Sequence, residues 1–199
     1  MDIFSHGLWA GAGAAFVNRS RIAARRKFRM QTGWTAFWGM FPDLFAFAIS
    51  FMALITLELL GLPMAHVPRP EDFEPAGDPR LLFGNGNFNA SEFLFSRLPA
   101  FLYHISHSAI IFLAVFGLFW VIRRRPALEL SGWFLHILLD IPTHSSAFYP
   151  TPFLWPVSVF KVSGIPWSTP WFLVLNYFSL VLVYFWLLRG RKRKGGNSR

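Results

Sequence analysis

Residues 34–62 read WTAFWGMFPDLFAFAISFMALITLELLGL, with formal charge only at Asp43 and Glu58. About 20 apolar residues cross the hydrocarbon of a bilayer, and such a run with so few charges marks a membrane-spanning helix. Outward from it the pattern repeats. Residues 98–122 and 170–188 carry no formal charge, and 126–142 carry only Glu129 and Asp140. Residues 3–18 (IFSHGLWAGAGAAFVN) are shorter, and positive charge follows the apolar run instead of preceding it. That order argues against a signal peptide and for a retained first helix. Its small residues Gly7, Ala10, Gly11 and Ala14 suit close packing between helices in a membrane. The sequence therefore predicts an all-α integral membrane bundle of about five transmembrane helices, near 3–18, 33–61, 98–122, 126–142 and 170–188. A single domain spans 1–190, and a basic tail follows at 191–199.

Composition excludes several other classes. Of the 199 residues, 54% are hydrophobic and 19% aromatic, against 15% charged, which is the reverse of a disordered chain. With no cysteine, neither a disulfide framework nor a thiolate-bound zinc is available. The net charge of +9 hints at nucleic acid until its placement is read. Most of the basic residues fall in three clusters: Arg19 to Arg29, Arg123 to Arg125, and Arg189 to Lys194. Placed in the cytoplasm, the clusters alternate with the apolar segments without conflict. The N-terminus is then outside, the C-terminus is in the cytoplasm, and 63–98 and 143–169 are outer loops. Trp34, Trp155, Trp167 and Trp171 fall near the expected boundaries, as in an aromatic belt. The charge maps topology, with anionic lipid as its partner, and nucleic acid is not expected.

Ionisable groups inside membrane segments are costly and point to function. Glu58 and Glu129 lie toward segment ends, and His66 sits in an outer loop and is assigned no role. His6, Asp43, His104, His107, His136 and Asp140 remain, with His144 just beyond. His104 and His107 are three residues apart, and His136 and Asp140 four apart, so each pair shares a helix face. At 1.5 Å per residue, His104 and His107 lie roughly 8–12 Å in from the outer end of their segment. His136, Asp140 and His6 fall at similar depth. Asp43 lies closer to mid-membrane, where a kink at Phe41-Pro42-Asp43 would aim its carboxylate into the bundle. In a chain without cysteine, His and Asp make zinc, manganese or iron sites.

Several of these residues also form motifs. His6-Gly7-Leu8-Trp9-Ala10-Gly11, Gly39-Met40-Phe41-Pro42-Asp43, His107-Ser108, and the stretch from Gly132 through His136 to Asp140 resemble successive motifs of the bacterial inner-membrane metal-dependent hydrolases. That family is also called the LexA-binding, inner-membrane-associated hydrolases. Phe153-Leu154-Trp155-Pro156 resembles the aromatic-proline stretch that follows, so the likeness covers residues 6 to about 167. A weaker likeness extends to zinc-dependent phospholipase C proteins, which arrange His and Asp on a helical bundle. One motif departs: the family often has His-Arg upstream, spaced His-x4-His, where this chain has His104-Ile105 spaced His-x2-His. His144, in Asp140-Ile141-Pro142-Thr143-His144-Ser145, looks like a subfamily variant and an added candidate ligand.

The resemblance implies a hydrolase with a divalent metal, zinc first among the candidates. His6, His107, His136 and Asp140 would hold it, with Asp43 bridging to a second ion or orienting a ligand. Asp43 or Asp140 would act as general base, and Ser108 as a hydrogen-bonding neighbour of the ligands. A site on the outer face suits an ester or phosphodiester carried by a membrane lipid. No Gly-x-Ser-x-Gly elbow or glycine-rich phosphate loop supports acyl-enzyme or nucleotide chemistry. A metal or proton transporter built on the same residues, and a scaffold without catalysis, are the competing classes.

Overall fold

The structure is a computed structural model that describes residues 1–20, 28–61, 90–146 and 149–195, with side chains to residue 189. Among them the secondary structure is entirely helical: α1 (Ile3–Arg19), α2 (Thr32–Leu59), α3 (Ala90–Ser106), α4 (Ala109–Arg123), α5 (Ser131–Thr143) and α6 (Pro170–Gly195). Residues 63–89 of the loop expected at 63–98 lie outside the described residues, and His66 with them. From Ala90 onward that loop is already helix, including a π-helical turn at Phe93–Arg97. The last helix runs on to Gly195, into what the sequence marks as a tail.

The clearest departure is within 98–122, expected as one helix. It breaks between His107 and Ser108, and the two halves are bent by 58°. Ser108 adopts an extended conformation (φ −88°, ψ 122°), and its hydroxyl accepts the Ile111 N–H at 3.1 Å, starting α4 with a helix cap. The 143–169 segment completes the break. Its Phe153 carbonyl accepts the Ala109 N–H at 2.9 Å, and its Trp155 carbonyl accepts the Ser108 hydroxyl. Donors that a continuous helix would satisfy internally are satisfied from a distant loop instead. By contrast, α2 passes through Pro42 without stopping, where the sequence suggested a local kink.

Two glycines set how closely the bundle packs. A Cβ on Gly39 of α2 would lie 2.6 Å from the Ala10 Cβ of α1, and one on Gly132 of α5 would lie 2.1 Å from the Thr35 carbonyl of α2. Both distances are impossible for a side chain, so α1, α2 and α5 meet backbone to backbone. Gly7, Ala10, Gly11 and Ala14 are all buried on the facing side of α1. Beside this seam Phe112, Leu130, Trp133 and Ile137 form the apolar core, with Trp38 and Phe41 against it. The outside of the bundle is apolar as well: Phe45, Ile49, Met52 and Ile55 of α2 are exposed, as are Val174, Phe178 and Leu182 of α6.

By length and composition α2 and α6 can each cross a membrane, and α3 with α4 makes a third span if the bent pair counts as one. At 17 and 13 residues, α1 and α5 reach only about 26 and 20 Å, short of a hydrocarbon core of about 30 Å. Described members of the three basic clusters gather at one end of the bundle. Arg29, Arg123 and Arg125 line a common pocket, and Asn18 and Met30 exchange hydrogen bonds of 2.9 and 2.8 Å beside it. Arg19 donates to the Leu187 carbonyl, two residues before Arg189. Arg21, Arg25, Arg26 and Lys27 lie outside the described residues.

Candidate metal centre

Helix α5 contributes two candidate ligands. His136 and Asp140, one turn apart, point the same way and are 1% and 0% exposed. Asp43 reaches them from α2, immediately after the buried Pro42. His107 arrives from the α3–α4 break, where it is the residue that ends α3 (φ −102°, ψ 11°). One ligand atom from each of these four lies within 4.8 Å of the others. The Nε2 atoms of His107 and His136 are 3.0 Å apart. Asp140 Oδ2 lies 3.3 and 3.1 Å from them, and Asp43 Oδ1 lies 3.4 and 3.7 Å from them.

The backbone decides which ring nitrogens carry protons. His136 Nδ1 is 2.7 Å from the Gly39 carbonyl, which can only accept, so Nδ1–H donates and Nε2 is the nitrogen turned to the site. His107 Nδ1 faces the Tyr103 carbonyl at 3.2 Å and Ser106 Oγ at 2.9 Å, which fixes the same tautomer. With Nδ1–H fixed on both rings, the two Nε2 atoms face each other between two carboxylates. That arrangement is repulsive until a cation enters it. A proton on one ring and a metal ion between the rings compete for the same lone pairs. Asp140 Oδ2 is buried with no hydrogen bond, an orphan that a cation would satisfy. The nitrogen and oxygen donors, with second nitrogens locked by backbone, fit a divalent metal and could hold one.

The other predicted residues stand around this group rather than in it. His6 stacks on His136 with ring centroids 3.7 Å apart. Its Nε2 is 2.9 Å from Asp140 Oδ1 but misaligned for a hydrogen bond, so neither ring nitrogen has a hydrogen-bond partner. His144 ends α5 with Nδ1 3.4 Å from Asp140 Oδ1, and the Met1 backbone nitrogen lies 2.6 Å from the same oxygen. His104 is turned elsewhere. Its Nδ1 meets the Ala100 carbonyl at 2.8 Å and its ring abuts Trp155. Ser108 is committed to capping α4, as described above.

Ser106, which the sequence did not single out, is the hydroxyl that touches His107. The Gly39 carbonyl is a second such partner, hidden because glycine in a motif suggests packing rather than hydrogen bonding. Near the rim, burial works against the Asp2 carboxylate, but donors at Ser5 and Tyr177, each at 2.9 Å, hold its pKa below the ordinary value. Comparison with protein families, characterised proteins and solved structures gives no match for this chain.

Proposed function

We propose that the chain is a membrane-bound metal-dependent hydrolase of the bacterial inner membrane, acting at its outer, periplasmic side. The observation that carries this reading is the facing pair of Nε2 atoms on His107 and His136, closed in by Asp43 and Asp140. Zinc is the natural occupant of such a set, with manganese and iron next. A divalent ion held there supplies Lewis acidity and brings the pKa of water toward about 7. His107, His136 and Asp140, fully enclosed, serve to hold and orient. Asp43 is the one carboxylate of the four that also lines an open cavity, so it is the group placed to take a proton from water and pass it on. The motif likeness to the inner-membrane metal-dependent hydrolases supports the same reaction class. The substrate is an ester or phosphodiester, carried by a lipid.

The topology belongs to the same proposal: five crossings, N-terminus outside and C-terminus in the cytoplasm. The gathering of Arg19, Arg29, Arg123 and Arg125 at one end supports it. Elemental analysis of the detergent-purified protein tests the centre. About one equivalent of metal or more in the parent, lost in His136→Ala and in Asp140→Ala, is the expected result. A parent that carries no metal and takes up none on addition overturns the reading. With metal established, hydrolysis of lipid esters and phosphodiesters by liposome-reconstituted protein distinguishes an enzyme from a transporter.

A further inference from the structure

A cavity of about 410 Å³ opens beside the metal group and is walled almost entirely by hydrocarbon. Asp43 and His144 stand at its inner end, and Phe47, Phe51, Leu54 and Phe95 line its length. Along α2 the lining falls at Asp43, Phe47, Ser50, Phe51 and Leu54, a single helical face. That face runs for about 16 Å at 1.5 Å per residue. Asp2 also lines it, with one carboxylate oxygen buried and unbonded, whereas the Ser50 hydroxyl donates to the Leu94 carbonyl at 2.7 Å and the Tyr103 hydroxyl to the Tyr149 carbonyl at 2.8 Å. Phe4 and Phe51, 72% and 49% exposed, flank the opening on the apolar outside of the bundle.

A volume above about 300 Å³ is in the range of small-molecule sites, but such sites normally carry several orienting polar groups along their walls. Here polarity is confined to the end that meets the metal ligands. We infer that this groove binds one long hydrocarbon chain of a lipid substrate, taken up from the bilayer and turned so that its scissile group lies at Asp43 and its chain runs toward the outer end of α2. The inference rests on the proposed hydrolase and specifies its substrate as a lipid whose reactive bond lies at the root of a long chain. The groove itself is built from side chains other than the metal-holding ones, apart from Asp43. Chain binding and metal binding therefore separate experimentally.

The test uses the full chain in nanodiscs and a long-chain monoacylglycerol bearing a diazirine either next to its carbonyl or at the far end of the chain. After photolysis, peptide mass spectrometry should find the first probe on residues near Asp43 and Tyr103, and the second near Phe51 and Leu54. Leu54→Trp, which fills the groove, should lower labelling about tenfold, the effect of one overpacked contact. Leu113→Trp, on an exposed face elsewhere, should leave it unchanged. Labelling that persists in His136→Ala while no metal is found in the parent keeps the groove and removes the hydrolase. A parent that hydrolyses lipid esters but is labelled evenly along the exposed faces of α2 and α6 removes the groove and keeps the hydrolase. Labelling in the groove that does not depend on where the diazirine sits overturns the assigned orientation of the chain.

Discussion

Helices α5 and α6 are neighbours in sequence and opposites in plan. Short α5 hides Gly132, His136, Asp140 and Thr143 and belongs to the interior. The most apolar stretch of long α6 has a mean hydropathy of 2.0, yet only 17% of it is buried. Beside the buried Leu180 and Leu187, its inward ties are hydrogen bonds: Asn176 accepts from Trp9 Nε1 at 2.8 Å, and Tyr184 donates to the Leu8 carbonyl at 2.9 Å. In water such a pairing would be inside out. In a bilayer, lipid solvates apolar faces as well as protein does, so helices associate through small residues and internal hydrogen bonds. Small and polar residues share the inside of this molecule with its aromatic core, while its outside is apolar.

That contrast can be broken by mutation, starting on the α5 side. Gly132→Leu should have the largest effect, since even a Cβ would sit 2.1 Å from the Thr35 carbonyl. The cost should exceed the usual overpacking penalty of about 1–3 kcal/mol and show as loss of the monodisperse peak in size-exclusion chromatography. His107→Ala comes next, with metal content falling to background. His104→Ala, only three residues away, should leave metal content at the parent level, and a loss there would mean that both imidazoles reach the ion. Ser106→Ala removes only a partner of His107 and should weaken metal affinity about 10–100-fold by competition titration.

The α6 side should respond weakly. Trp9→Phe breaks the bond to Asn176 and should cost about 1 kcal/mol in a detergent unfolding titration. Leu182→Ala, on the lipid-facing surface, should stay within about 0.5 kcal/mol. If Leu182→Ala proves the costlier of the two, α6 has a protein neighbour on that face.

How much of this was readable depends on where each residue gets its geometry. His136 and Asp140 lie four apart on an uninterrupted helix, so local periodicity was enough to pair them. Asp43 stood out as a carboxylate in an apolar run. The pairing of His104 with His107 did not carry into the site, since His104 bonds the Ala100 carbonyl of its own helix and abuts Trp155, and the helix break at Ser108 was missed as well. The break is stabilised by carbonyls of Phe153 and Trp155, some 45 residues downstream, and no local pattern records it. The count of crossings is sensitive for a related reason. Composition marks α1 and α5 as apolar segments, whereas their ends are set by Asp2, which caps α1, and by the turn after Thr143, where loop donors meet the carbonyls of Pro142, Thr143 and His144.

The lock between His136 and the Gly39 carbonyl has a mechanical consequence. An ion in the centre would tie α2, the end of α3 and α5 at one point, closing a chain loop of about 90 residues between Asp43 and His136. That is the task of a disulfide in a secreted protein, and this chain has no cysteine to perform it. The ion would then act as a removable crosslink. Chelation should lower the melting temperature and loosen hydrogen exchange at the seam around Gly39 and Gly132, while α6 keeps its protection.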